Sequence, residues 1–168
     1  LLTGQRREEV AGMERSELNL DEAKWTIPAE RVKMDREHDV PLSATAIEIL
    51  DDLPEFDKKL VFTSGPRGEK KANPISGWSR SKRRLDELML EILRKEAEDR
   101  GDDPENIEIA NWRLHDLRRT FATGLAKLNV PLHITSAALN HAPSTLMGVT
   151  AIYNRHAYFE ERRHAHDA

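Results

Sequence analysis

The spacing of apolar residues changes along this chain, and that change limits the folds open to it. Over residues 17–42 apolar side chains come in short alternating pairs, Leu18 with Leu20, Trp25 with Ile27 and Val40 with Leu42, separated by polar turns. A period of two puts one face of a strand inside and the other in water, so the pattern predicts a small antiparallel sheet of three strands. The second and third strands are joined by the charged stretch 29–38. Beyond Ser43 the spacing is mostly three and four. Ala46, Ile47, Leu50 and Leu53 predict a helix capped by Ser43 and stopped by Pro54. Residues 60–62 read as one short strand, and Gly65, Pro66 and Gly68 mark a loop.

A long helix is predicted from Pro74 to about Ala97, with Leu85, Leu88, Met89, Ile92 and Leu93 on its inner face. Residues 98–108 are acidic, contain Gly101 and Pro104, and read as a surface loop. Leu114, Leu117, Phe121, Leu125 and Leu128 predict another helix. Val130 and Pro131 begin one that ends near Leu139. Short helical pieces follow, one holding Ile152 and Tyr153 and one over about 158–163. At the start, 1–12 reads as a helix already under way, and with no initiating Met the chain reads as a fragment of a longer protein. The expected fold class is α+β and mainly helical, one domain over 1–168 with a three-stranded antiparallel sheet near its N-terminal end.

The chain has 168 residues, 38% of them hydrophobic, enough for one core and too few for two ordinary domains. It has no cysteine, which excludes disulfides, a thiol nucleophile and a cysteine metal site. No apolar run approaches the roughly 18–20 residues of a membrane span, and no signal or transit pattern opens the chain. A cytoplasmic protein is expected. Net charge is −4, the wrong sign for nonspecific attraction to nucleic acid. The charge is unevenly spread, however: Arg80, Lys82, Arg83 and Arg84 cluster, as do Arg113, Arg118 and Arg119, and Arg155, Arg162 and Arg163 lie near the end.

His115 and Arg118 are three apart on a predicted helix and project from nearly one face, where they could grip one phosphate or simply form a solvated surface. Arg6 stands in Thr3-Gly4-Gln5-Arg6-Arg7-Glu8-Glu9, and Glu9 is spaced to hold its guanidinium. His141 follows an apolar helix in Leu139-Asn140-His141, and Tyr153 follows Ile152. Each signal is weak by itself; the ordered set is not.

Trp112-Arg113-Leu114-His115-Asp116-Leu117-Arg118-Arg119-Thr120, Leu139-Asn140-His141 and the segment 148–156 around Tyr153 closely resemble the tyrosine recombinase family, in particular the catalytic domain of phage-type integrases. The resemblance covers nearly the whole chain. It implies a site-specific recombinase that cuts and rejoins DNA through a 3′-phosphotyrosine. Arg6 is then the first catalytic arginine, Lys33 the hairpin lysine, His115 and Arg118 the middle pair, His141 the second histidine and Tyr153 the nucleophile. Arg31 and Arg36 share the hairpin with Lys33, and Tyr158 is a rival nucleophile that lacks the motif. The resemblance further implies double-stranded DNA as partner, a homotetramer on it, accessory DNA-bending proteins, neither cofactor nor metal, and an N-terminal DNA-binding region that this fragment lacks. It also implies a helix or tail over 156–168 able to pack on a neighbouring protomer, with packing on its own domain as the alternative.

These residue types suit that chemistry. Two arginines remain charged at any working pH and can brace the nonbridging oxygens of a phosphodiester as their charge rises. Histidines titrating near neutrality can donate to the same oxygens or move the tyrosine proton, and a protonated lysine can supply the leaving 5′ oxygen. The alternatives are a type IB topoisomerase, a noncatalytic DNA-binding domain on the same scaffold and, more distantly, a hydrolase using His115 and Asp116.

Overall fold

The computed structural model describes residues 1–33, 35–63, 73–141 and 158–167. Tyr153, the helical piece expected around it and the loop marked by Gly65, Pro66 and Gly68 lie outside the described residues. Helix α1 is Arg7–Ala11; β1 is Leu18–Asn19, β2 Lys24–Ile27 and β3 His38–Pro41. Helix α2, Ala44–Asp51, follows directly, then the long α3, Trp78–Arg100. Helices α4, Leu114–Lys127, and α5, Leu132–Ala138, lead to α6, Phe159–Asp167. A structure that is mainly helix with one small sheet is what the change of period predicts.

The three strands form an antiparallel sheet in the order β1-β2-β3. Register follows from burial. Trp25 faces Val40 across the ladder, and both are fully buried. Their neighbours Thr26 and Asp39 pair on the other face, with the Thr26 hydroxyl donating to Asp39 Oδ1 at 2.6 Å. A slip of one residue would send the indole into water, so the core fixes the pairing. Trp25, Ile27, Val32, Val40 and Leu42 from the sheet region join Met13, Ala46 and Val61 in one apolar cluster. Ser43 caps α2 by accepting from the Ala46 amide at 3.4 Å, as its position predicts.

A second cluster joins Leu125 of α4, Ile134 and Ala138 of α5 and Ala165 of α6. Helix α6 thus packs against its own chain, and the buried Arg162 donates from Nη1 to the Asp39 carbonyl of β3. Between the two apolar clusters runs a polar seam that includes Gln5, His38, Arg118, Asn140 and Arg162, all buried.

Three elements depart from the sequence reading. The first helix begins at Arg7, not Leu1, because Gly4 takes a φ of +63° and the Glu9 carboxylate caps the Arg6 amide at 2.9 Å. Residues 60–62 form no strand: Leu60 makes an isolated bridge with Glu14, and the Val61 amide donates to the Met13 carbonyl at 3.0 Å. The apolar stripe of α3 is not an inner face, since Leu85, Leu88, Ile92 and Leu93 are 40%, 39%, 58% and 37% exposed. The segment after α3 returns along a different stripe. Trp112 Nε1 donates to Asp86 at 2.9 Å, Lys82 stacks 4.3 Å from the Trp112 ring, and Ala97 is buried. With 3.6 residues per turn, this stripe lies roughly a quarter turn from the apolar one.

Among the described residues no helix is long and apolar enough to cross a membrane.

Two predictions follow from the packing. A Cβ on Gly4 would stand 2.4 Å from Phe121 Cδ1, and the φ of +63° is itself costly for alanine. Gly4→Ala should therefore lower stability by about 2 kcal/mol or more in denaturant melts. Phe121→Leu in that background should restore part of the loss; full additivity of the two losses would show that the ring is not the obstacle.

The second concerns pH. Burial, with the charge of Arg162 next, lowers the His38 pKa to about 3 and the His166 pKa to about 4. The unfolded chain takes up these protons near pH 6.5 while the folded one refuses them, so stability falls as pH drops from about 6.5 toward 4, by up to about 1.4 kcal/mol per unit for each histidine. His166 rests edge-to-face on Phe121, and neither ring nitrogen has a hydrogen-bond partner among the described residues. His166→Leu should then remove one proton's worth of slope between pH 7 and pH 4.5, and an unchanged slope would refute the assignment.

Candidate active site

Arg118 shows how the site is built. It lies one turn into α4, 7% exposed, and its guanidinium reaches away from the helix. Nη1 donates to the Gly4 carbonyl at 2.5 Å and Nη2 to the Leu139 carbonyl. One side chain therefore ties the N-terminal loop, α4 and the end of α5 together. Gln5 adds a second tie, donating from Nε2 to the Ala138 carbonyl at 2.9 Å.

That loop carries Arg6 to the same place. Its Nη1 meets Glu9 Oε1 at 2.8 Å, and Glu9, 4% exposed, also caps the Arg6 amide. The spacing of three anticipates this pair. Desolvation and then the Arg6 charge lower the Arg118 pKa to about 10, while Glu9 opposes them. Arg118 thus stays a cation at neutral pH.

Arg6, Arg118, His115 and Lys33 all line one cleft of about 710 Å³, with Trp78 and Leu117 in its apolar wall. His115 is exposed on the first turn of α4, and Lys33 is exposed in the connection between β2 and β3. Arg31, which lines the same cleft, and Arg36, which does not, are each engaged by other protein groups. Arg31 pairs with Glu17 and donates to the Glu9 carbonyl, while Arg36 Nη2 donates to Asn140 Oδ1 at 3.0 Å. Among the described residues no hydrogen bond or ion pair engages the Lys33 ammonium.

His141 is placed by the end of α5. Asn140 follows the helix with a φ of +47°, and the His141 amide donates back to the Ser136 carbonyl at 3.0 Å, closing a left-handed C-terminal motif. Its pKa is lowered by desolvation first, then by the charges of Arg118 and Arg6, so its imidazole lies within electrostatic reach of both. Five of the six residues singled out from the sequence are thus at or beside one cleft; Tyr153 lies outside the described residues. Tyr158 packs its ring on His133 in the α5–α6 region, 5.1 Å between centroids. Asp116, weighed above as a hydrolase partner of His115, caps α4 through the Arg113 amide at 2.8 Å and pairs with Arg119. Sequence reasoning missed Gln5 and the Arg36–Asn140 bond. Both are long-range side-chain contacts with no local spacing to announce them.

The family model described as the phage integrase family matches residues 1–160. Prophage integrase IntA of Escherichia coli K12 is 28% identical over 166 residues, which are 97% of this chain and 34% of that protein. Prophage integrase IntF of the same strain is 30% identical over 152 residues, 87% of this chain and 27% of that protein. The chain therefore spans about a third or less of the curated relatives it matches. In fold it is similar to an integrase from mycobacterium phage Brujita, with a TM-score of 0.54 at 22% identity over 99% of this chain and 47% of that one. By a match that reaches nearly from end to end, the chain belongs to the phage integrase family, in agreement with the tyrosine recombinase motifs of its sequence.

Proposed function

We propose that this chain is the catalytic domain of a site-specific DNA recombinase, an integrase that cuts and rejoins double-stranded DNA through a 3′-phosphotyrosine. The observation that carries the reading is the meeting of Arg6, Lys33, His115 and Arg118, from well-separated parts of the sequence, on one cleft. Two guanidiniums close enough to lower one pKa are held together at an electrostatic cost, partly offset by Glu9. An anion between them would relieve that cost, and a phosphodiester is such an anion.

In this reading Arg6 and Arg118 brace the nonbridging oxygens, with His115 and His141 donating to them or taking the phenolic proton. The Tyr153 oxygen attacks phosphorus and the bond to the 5′ oxygen breaks. Lys33 gives that oxygen its proton. The products are a 3′-phosphotyrosine and a free 5′ hydroxyl, and the reverse attack rejoins the strand. Double-stranded DNA is the proposed partner, engaged by a homotetramer of the longer protein with accessory DNA-bending proteins, in the cytoplasm. The whole of 1–168 serves as the catalytic domain and a preceding region as the second half of the DNA clamp.

In the full-length protein a nicked suicide duplex should give a covalent band on denaturing gels with wild type and with Tyr158→Phe, and none with Tyr153→Phe. Arg6→Ala should slow formation of that band by about 10²–10³-fold, since its loss removes one charge acting on the developing one, and should also lower the melting temperature because it leaves the buried Glu9 carboxylate without its ion pair. A band that survives Tyr153→Phe and disappears with Tyr158→Phe would move the nucleophile. Specific DNA binding without a band from wild type would leave a noncatalytic binding domain.

A further inference from the structure

The connection between β2 and β3 is ten residues long, and its tip is pinned from both sides. On the near side Val32 is buried in the sheet core and Arg31 is locked between Glu17 and the Glu9 carbonyl. The Asp35 amide donates to the Val32 carbonyl at 3.0 Å, closing a turn that has Lys33 on it. On the far side Arg36 reaches Asn140 Oδ1 at 3.0 Å, a residue 104 positions away in sequence.

Asn140 is an unusual anchor. It is 2% exposed, and it occupies the left-handed position that ends α5, with a φ of +47°. Glycine is the ordinary residue there because it lacks a Cβ, and asparagine is the main substitute. The backbone motif that sets His141 needs no side chain at 140. The amide is therefore a surplus group, and it meets a guanidinium from the lysine-bearing connection in a charge-assisted hydrogen bond.

We propose that Arg36 and Asn140 form a latch holding the Lys33 turn against the His141 turn, which makes Arg36 a positioning residue for the leaving-group lysine. The inference rests on the strand-cleavage reading above. Within that reading the proton donor and a phosphate-facing histidine must address the same phosphodiester at once, yet they sit on segments that share no backbone pairing. The latch is the bond that joins the connection itself to the turn before His141, beside a hydrogen bond from His38 at the start of β3 to Ala138. Without the latch the turn stays attached through Arg31 and Val32, and buried His38 still ties the start of β3 to Ala138, but the turn loses its hold on the residue that sets His141.

Asn140→Gly is the informative variant, because it keeps the left-handed backbone and deletes the amide. The test uses the full-length protein and a duplex that this protein selects from a random-sequence library, with cleavage mapped by the covalent product. In single-turnover assays Asn140→Gly and Arg36→Ala should each slow covalent attachment by about 10- to 100-fold, the upper figure being the scale for a group misplaced by about 1 Å. The double variant should be no slower than either single one. Arg36→Lys should recover part of the rate, and DNA affinity of Asn140→Gly should equal that of wild type. A substrate with sulfur in place of the 5′ bridging oxygen releases a thiolate that needs no proton, so the defect of both variants should vanish on it.

Slowing that persists on the sulfur substrate would show that the latch does not act through Lys33. Losses that multiply in the double variant would show Arg36 acting on DNA by itself. Either result overturns the proposal, as does wild-type speed in both single variants, and all three leave the cleavage reading standing. Failure of wild type to attach to either substrate would remove that reading, and the latch with it.

Discussion

A buried guanidinium organises this molecule. Arg118 lies in the seam between a sheet-based core and a helical one, which among the described residues are separate apolar clusters. A charge taken out of water must be met by oriented acceptors or the fold does not tolerate it. The acceptors here are the Gly4 and Leu139 carbonyls, one before α1 and one after α5. Satisfying this charge therefore requires the N-terminal loop and the end of α5 to be brought to α4. The same requirement explains Gly4: its carbonyl faces Arg118 while its Cα lies against Phe121, where a side chain has no room.

From that constraint the rest of the cleft follows in steps. Once Gly4 is held, Arg6 comes at the start of α1, and its own direction is set by Glu9, buried with both carboxylate oxygens in use. Once Leu139 is held, the left-handed Asn140 turns the backbone and delivers His141 beside the two arginines. The chain's net charge of −4 is compatible with such a site because charge is segregated. Acidic residues crowd the end of α3 and the turn after it, whereas the seam and the cleft hold cations braced by a few carboxylates. A global charge count averages over this difference.

What was legible in the sequence is what local physics decides. The period of apolar residues located the sheet, α2 and α4, because each buries one face and burial imposes a period on that face, and Val130-Pro131 marked where α5 begins. Ser43 announced a cap, and Arg6 with Glu9 announced a pair, since both interactions span three residues. The start of α1 was misread because the decisive facts are distant: Phe121 and Arg118 force the conformation at Gly4. The α3 stripe was misread for a related reason. Periodicity marks an apolar face, but the partner of a helix is chosen by where the chain goes next, and Trp112 returns along Asp86 and Lys82 instead.

The hairpin illustrates the same boundary between local and distant information. From sequence, Arg31, Lys33 and Arg36 were equivalent cations two or three positions apart, and nothing in their spacing separates them. Structure does so through partners. Arg31 is drawn inward by Glu17, which also accepts from the Trp25 indole at 2.9 Å and so belongs to the sheet core. Arg36 is drawn toward α5 by Asn140. Lys33, between them, faces the cleft with its ammonium unengaged among the described residues. A lysine suits that place because its compact charge can approach an oxygen and give up a proton, whereas a guanidinium does so far less readily. The flanking arginines suit theirs for the opposite reason: permanently charged and many-handed, they grip carboxylate, carbonyl and amide oxygens and leave the titratable cation to face the cleft.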